Sequence, residues 1–226
     1  MTVGDNIRLK ALRDTTNYYL HAPESLFLPT LIEFATQYCG KHILDLGCAT
    51  SNYMAEFRRR GYECVGVDVN PAYVERAKNR GLNVHLVADK LPFPDKSFDT
   101  VVMFEVAEHL PDIVSVLAEA RRVARKNIIL NVPNCEGFDG LQQSGLIYEH
   151  FLDKDHKNFF TPVSMAGVLS KLFGHVEIRP GDPILATVLV DNSVVRFILR
   201  GLYKLRIIQP KYFFRLYVVI HLVEPA

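Results

Sequence analysis

From Lys41 onward the sequence predicts an α/β protein with a doubly wound, mostly parallel sheet, because three features coincide. Short apolar or β-branched runs alternate with helix-length segments of mixed polarity, the pattern of successive right-handed βαβ units. Two of the helical segments open near a proline, Pro71 and Pro111, where a missing N–H costs nothing. The 226 residues, 49% apolar and 23% charged, are enough to bury one substantial core.

Strands are expected at residues 42–46, 63–68, 83–88, 98–104 and 127–132, with helices near 52–60, 71–80 and 111–124. Ahead of them, 5–20 and 24–38 read as two helices separated by His21-Ala22-Pro23. After Pro133 an irregular stretch is expected to run to about Phe160. Thr161-Pro162 then opens a helix ending near Gly174, and strands follow at 175–179 and 214–223. Between those strands lies a basic, aromatic segment, 194–206.

Composition narrows the function classes. Twenty-six Lys and Arg against 25 Asp and Glu leave a formal charge of +1, which gives no reason to expect a nucleic-acid partner. Cys39, Cys48, Cys64 and Cys135 show no close pairing, so reduced thiols of a cytoplasmic protein are expected. The opening MTVGDNIRLK lacks the apolar stretch of a signal peptide, and no apolar run approaches the roughly 18 residues that span a bilayer. A soluble chain is expected.

The segment ILDLGCATSN (43–52) carries the most chemistry. An apolar strand runs into small residues that lead into a helix, so backbone N–H groups and a helix start approach a ligand at the strand's carboxyl end. About twenty residues on, the second strand ends at Asp68, where an acid accepts both hydroxyls of an adenosine ribose. A dinucleotide would need glycines where Ala49 and Asn52 stand, and Asp45 would repel its phosphates. S-adenosylmethionine has no phosphate and carries an ammonium and a sulfonium, which suit Asp45. Electrostatics therefore favour S-adenosylmethionine.

The run ILDLGCATSNY…GVDVNP…LVADKLPFPDKSFDTVVMFEVAEHLPD resembles the class I S-adenosylmethionine-dependent methyltransferases of the type 11/type 23 group, over about residues 40–135. The resemblance implies a seven-stranded Rossmann-like sheet whose last strand is antiparallel. It implies that Asp45 and Gly47 serve the methionine end and Asp68 the ribose, with Cys48 and Ala49 also in the cofactor site. Asp89 would bind the adenine amino group, Val69 and Lys90 would line the ring, and Phe104 and Glu105 would border the sulfonium. The chain departs from the group at Ala49 and Ser51, where glycine is usual. One domain is expected: an N-terminal helical lid (1–38), the cofactor-binding core (40–135), and acceptor-side loops, a helical insertion and the last strands (136–226).

Methyl transfer needs alignment above all, and a hydroxyl or ammonium acceptor must also lose a proton. Glu105, Glu108, His109, His150 and His156 are candidate bases, with His109 and His156 the foremost; bracing the loop before Pro111 explains His109 equally well. The glycines at 137, 140 and 145 let the long loop bend back, so His156 is expected near His109. E-x-x-E-H at 105–109 with the later Asp155-His156-Lys157 also resembles the metal-binding set of small-RNA 3′-terminal 2′-O-methyltransferases. The neutral chain and the occurrence of the same motif in the wider group leave no metal assigned, with that RNA reading an alternative. The favoured acceptor is a small molecule, sugar or lipid-linked intermediate, methylated on O or N; a non-catalytic cofactor-binding protein is a further alternative. Residues 194–206 read as a cap on the acceptor pocket, a dimer contact, or a patch for anionic lipid in peripheral membrane contact.

Overall fold

The computed structural model describes residues 23–87, 90–137 and 153–222. Seven strands form one sheet: β1 (His42–Leu46), β2 (Glu63–Asp68), β3 (Val84–Leu86), β4 (Phe98–Phe104), β5 (Ala124–Pro133), β6 (His175–Ile184) and β7 (Tyr212–His221). Their order is β3-β2-β1-β4-β5-β7-β6. β1 to β5 run parallel, and β7 lies antiparallel between β5 and β6. Strand order therefore reverses between β1 and β4, which places a ligand crevice at their carboxyl ends.

Helices α1 (Pro29–Thr36), α2 (Asn52–Arg59), α3 (Pro71–Asn79), α4 (Ile113–Val123) and α5 (Pro162–Leu169) cover the two faces, and α6 (Ser193–Lys204) buries none of its residues. β4 is buried along its whole length, and its side chains alternate between two cores. Val101 and Met103 join Leu117 of α4 and Met165 of α5. Val102 and Phe104 join Leu31 of α1, Phe57 of α2 and Val74 of α3. The period of two thus feeds a helical layer on each side. α1 contributes Leu31 and Ile32, both fully buried, so this helix is part of the packed interior.

The differences from the sequence reading have local causes. Pro71 is the first residue of α3, capped by Asn70, whose side chain accepts from the Ala72 N–H. Pro111 instead precedes the cap of α4: Asp112 accepts from Ser115 N–H at 3.1 Å, so the helix starts at Ile113. α5 opens on a Thr161–Ser164 capping box but stops at Leu169, short of Gly174. β5 starts at Ala124 directly out of α4, three residues earlier than expected. β6 continues through Pro180 and Pro183 to Ile184, because an edge strand tolerates residues without an N–H. β3 is shorter than expected, and β7 is displaced two residues towards the N-terminus. The expected helix at 24–38 contracts to α1, opened by Pro29. The expected helix at 5–20 lies outside the described residues.

Candidate active site

β1 ends in a turn with three left-handed residues: Gly47 (φ 77°), Ala49 (φ 45°) and Ser51 (φ 64°). Gly47 is required twice over, since a Cβ there would also stand 2.5 Å from Val106 Cγ2. The Gly47 and Cys48 N–H groups donate to the Val67 carbonyl at 2.9 and 3.1 Å, tying the turn to β2. At the end of β2, Asp68 Oδ2 accepts from Ala49 N–H and Oδ1 from Asn70 N–H, both at 2.8 Å. A carboxylate offers about four lone-pair sites, so these backbone contacts leave it capacity for a ligand hydroxyl. Cys48 sends its thiol into the core, where burial raises its pKa, so this residue offers backbone and no thiolate.

The two departures from glycine carry strain, about 1–2 kcal/mol for each non-glycine residue in the left-handed region. Ser51 adds a fully buried hydroxyl beside the Cys48 thiol, without a close hydrogen-bond partner among the described residues. Ser51→Gly is therefore expected to stabilise the protein by about 1 kcal/mol, read as a higher unfolding midpoint. A lower midpoint would show that the hydroxymethyl group's packing outweighs the strain.

The cleft beside this turn is lined by Leu26, Phe27 and Leu28, Asp45, the 47–50 turn, Asn52, Tyr53, Phe104, Glu105 and Arg215. Asp45 is only 2% exposed, and its Oδ2 has no hydrogen-bond partner. Burial, and then the Asp68 charge, push its pKa up to about 7. A buried acid without a counter-charge among the described residues, facing a cleft, is the place for a cationic ligand group. The Tyr53 ring meets Phe104 edge-on at 4.9 Å, which gives the cleft an aromatic wall. Val69 at the end of β2 and Lys90 are exposed, and Asp89 lies outside the described residues.

Glu105 follows β4 with a left-handed φ of 54°. Its Oε1 accepts from Asn131 Nδ2 and, at 2.7 Å, from Arg215 Nε. Arg215 also donates through Nη1 to Asp182 Oδ2 at 3.0 Å, and Asp182 in turn accepts from the Tyr217 hydroxyl and Thr30 Oγ1. Burial works against the Arg215 charge, but the Glu105 and Asp182 carboxylates outweigh it and hold its pKa above the ordinary value. The sequence reading missed Arg215. The available signal was a lone arginine within an apolar strand, which must find partners there.

A second cluster adjoins the cleft without lining it. The His109 and His156 rings lie 4.7 Å apart, centre to centre, at 69°. Glu108 carbonyl oxygen accepts from Lys157 and Asn158 N–H groups, which hold the returning loop. His109 Nδ1 is 3.2 Å from the Asp155 carbonyl. A carbonyl only accepts, so Nδ1 carries the proton and Nε2 of the neutral ring is left to take one. Glu108 is fully buried, neither of its carboxylate oxygens has a hydrogen-bond partner among the described residues, and burial followed by the Glu105 charge raises its pKa. Ligand atoms of Glu108, His109 and His156 all fall within 4.8 Å of one another. Glu105 stands apart from that trio, bound to Arg215 and Asn131. His150 lies outside the described residues.

The doubly wound sheet of order 3-2-1-4-5-7-6 places a cleft holding Asp45 and Glu105 where strand order reverses, the expected ligand position in such a sheet. Residues 44–130 match the family model described as a methyltransferase domain. S-adenosylmethionine is the cosubstrate that the family implies. The chain is 32% identical over 91 residues to a demethylmenaquinone methyltransferase of Tropheryma whipplei, covering 38% of each chain. It is 35% identical over 94 residues to a ubiquinone biosynthesis O-methyltransferase of Hahella chejuensis, covering 38% of this chain and 40% of that one. The matches thus span well under half the length of these relatives. Among solved structures, an S-adenosylmethionine-dependent methyltransferase from Archaeoglobus fulgidus superposes with a TM-score of 0.67 at 20% identity, over 92% of this chain and 98% of that one, a likeness of fold.

Proposed function

We propose that the protein methylates an oxygen or nitrogen of a small, lipophilic or lipid-linked acceptor. The observation that carries the cofactor half is Asp45, an orphaned buried acid beside Asp68 in a cleft that would repel phosphates. Asp45 holds the ammonium, Asp68 the ribose hydroxyls, and the turn at Gly47, Cys48 and Ala49 follows the methionine end. Val69, Asp89 and Lys90 take the adenine, and Phe104 and Glu105 border the sulfonium. When bound, S-adenosylmethionine supplies the methyl group and a neutral leaving group, so no acid is needed for departure. The chain's own work is alignment, worth up to about 10 kcal/mol, and removal of the acceptor's proton. His109 Nε2 is the base, with the Asp155 carbonyl fixing its tautomer and His156 packed against it. The acceptor class is supported by the apolar cleft residues Leu26, Phe27 and Leu28 and by relatives named for quinone substrates.

Labelled cofactor with phenolic and isoprenylated acceptors, alongside RNA and protein, tests the reading. Transfer to the small acceptors is expected, and transfer to RNA or protein alone would overturn it. His109→Ala is expected to lower turnover about 100-fold or more, with cofactor affinity little changed. A second reading adds a divalent cation to the same transfer, because the Glu108 oxygens are unpartnered beside two imidazoles. In that case chelation abolishes activity, Mg²⁺ or Mn²⁺ restores it, and Glu108→Gln fails to respond. Full activity after exhaustive chelation would remove the cation.

A further inference from the structure

We propose that α6 and its flanks dock the protein onto an anionic lipid bilayer, with the cleft edge turned towards the membrane. Of the thirteen large apolar side chains exposed among the described residues, seven lie between positions 189 and 207. They include Val194 (65%), Phe197 (78%) and Ile198 (53%) on α6, and Leu205 (71%) and Ile207 (65%) just beyond it. No residue of α6 is buried, so this helix leaves an apolar face without a partner among the described residues.

Its other face is cationic. Arg196, Arg200 and Lys204 recur every fourth residue and share one side of the helix, while Val194, Phe197 and Ile198 share another. Arg196 is occupied, donating to the Val190 carbonyl, which leaves Arg200 and Lys204 exposed beside the apolar face. From Asn192 to Leu222 the sequence contains six Lys or Arg and no Asp or Glu. A helix that pairs exposed apolar side chains with cations and lacks acids fits a negatively charged interface, its apolar face entering the acyl boundary and its cations meeting headgroups. A soluble acidic protein could match the charges, but nothing in that charge match requires the protruding Phe197; a bilayer uses both.

The location gives the docking a purpose. The segment carrying α6 leaves the sheet at Ile184 and re-enters at Tyr212, which pair with each other at the carboxyl-end edge of the sheet. Asp182 and Arg215, two to three residues inside that point, form the ion pair that anchors Glu105 in the cleft. The helix is therefore tethered at the cleft's rim, where a lipophilic acceptor could pass from the bilayer. That consequence rests on the methyl-transfer reading, whereas the docking itself does not.

Co-sedimentation of the full chain with vesicles of equal parts phosphatidylglycerol and phosphatidylcholine tests it, with pure phosphatidylcholine vesicles as reference. Binding to the mixed vesicles at low salt, at least about tenfold above the reference, is expected, and high salt should weaken it. Phe197→Ser and the double variant Arg200→Glu, Lys204→Glu should each reduce binding at least about tenfold. Both change exposed side chains, and an unchanged unfolding midpoint and cofactor affinity will show that fold and cleft are intact. No binding to the mixed vesicles would overturn the proposal, as would binding that all variants retain. A stable dimer in solution that Phe197→Ser dissociates would also overturn it, by assigning the face to a second copy. None of these failures bears on methyl transfer to a water-soluble acceptor, which is measured separately without vesicles.

Discussion

Asp45→Asn is expected to make the free protein more stable and its hold on S-adenosylmethionine about a hundredfold weaker. Both effects come from one carboxyl. In the free protein, burial and the neighbouring Asp68 push its pKa up to about 7, against about 3.9 in an unfolded chain. Between those values the folded state binds the extra proton, so this group's contribution to stability falls as pH rises from about 4 to 7 and is level above. Asparagine removes the titration, and the variant's advantage should therefore grow over that window. Binding has the opposite sign. A ligand ammonium needs the carboxylate, so below about pH 7 a proton must leave first, and wild-type affinity should drop with falling pH by up to about tenfold per unit. The variant loses the charge-assisted contact and the pH dependence together. Calorimetric titrations at pH 6 and pH 8, paired with thermal unfolding of the free protein, read all three effects. Equal affinities for wild type and variant would contradict the role given to Asp45.

Arg215→Ala should destabilise the protein by about 3 kcal/mol, the scale seen when one partner of a buried ion pair is removed. Its side chain is 16% exposed and bridges Glu105 at 2.7 Å and Asp182 at 3.0 Å. Without it, both carboxylates lose their cationic partner, and Glu105 loses the group that sets its position beside the cleft. Lysine should restore only part of the loss, since one ammonium on a single stem does not present two separately aimed donors. Denaturant unfolding gives the stability change, and a double-variant cycle with Glu105→Gln isolates the coupling. A loss below about 1 kcal/mol would place this pair with ordinary surface salt bridges.

The parts of the fold legible in the sequence were those governed by short-range patterns. β1, β2 and β4 have the expected bounds because strongly apolar runs met turn residues at both ends. Proline was the weaker guide. Pro111 sits ahead of a cap that Asp112 provides, and Pro180 and Pro183 lie in a strand whose edge position is a tertiary fact. The cofactor turn was visible as small residues after a strand, and so was the acid at the end of β2. That Asp45 is orphaned was not, because the lack of a partner depends on everything packed around it. The Glu105–Arg215–Asp182 bridge joins β4, β7 and β6, and no spacing along the chain announces it. The meeting of His109 and His156 did follow from position alone, through a returning loop whose Gly137 adopts φ 78°.

Calorimetric titration of the full wild-type chain with S-adenosylmethionine at pH 8, beside the same titration with NADH, bears most simply on the reading of the cleft. A single binding event with S-adenosylmethionine, strongly weakened by Asp68→Ala, is expected, with no heat from NADH. Tight binding of NADH and none of S-adenosylmethionine would contradict it, because Asp45 would then be standing beside a phosphate.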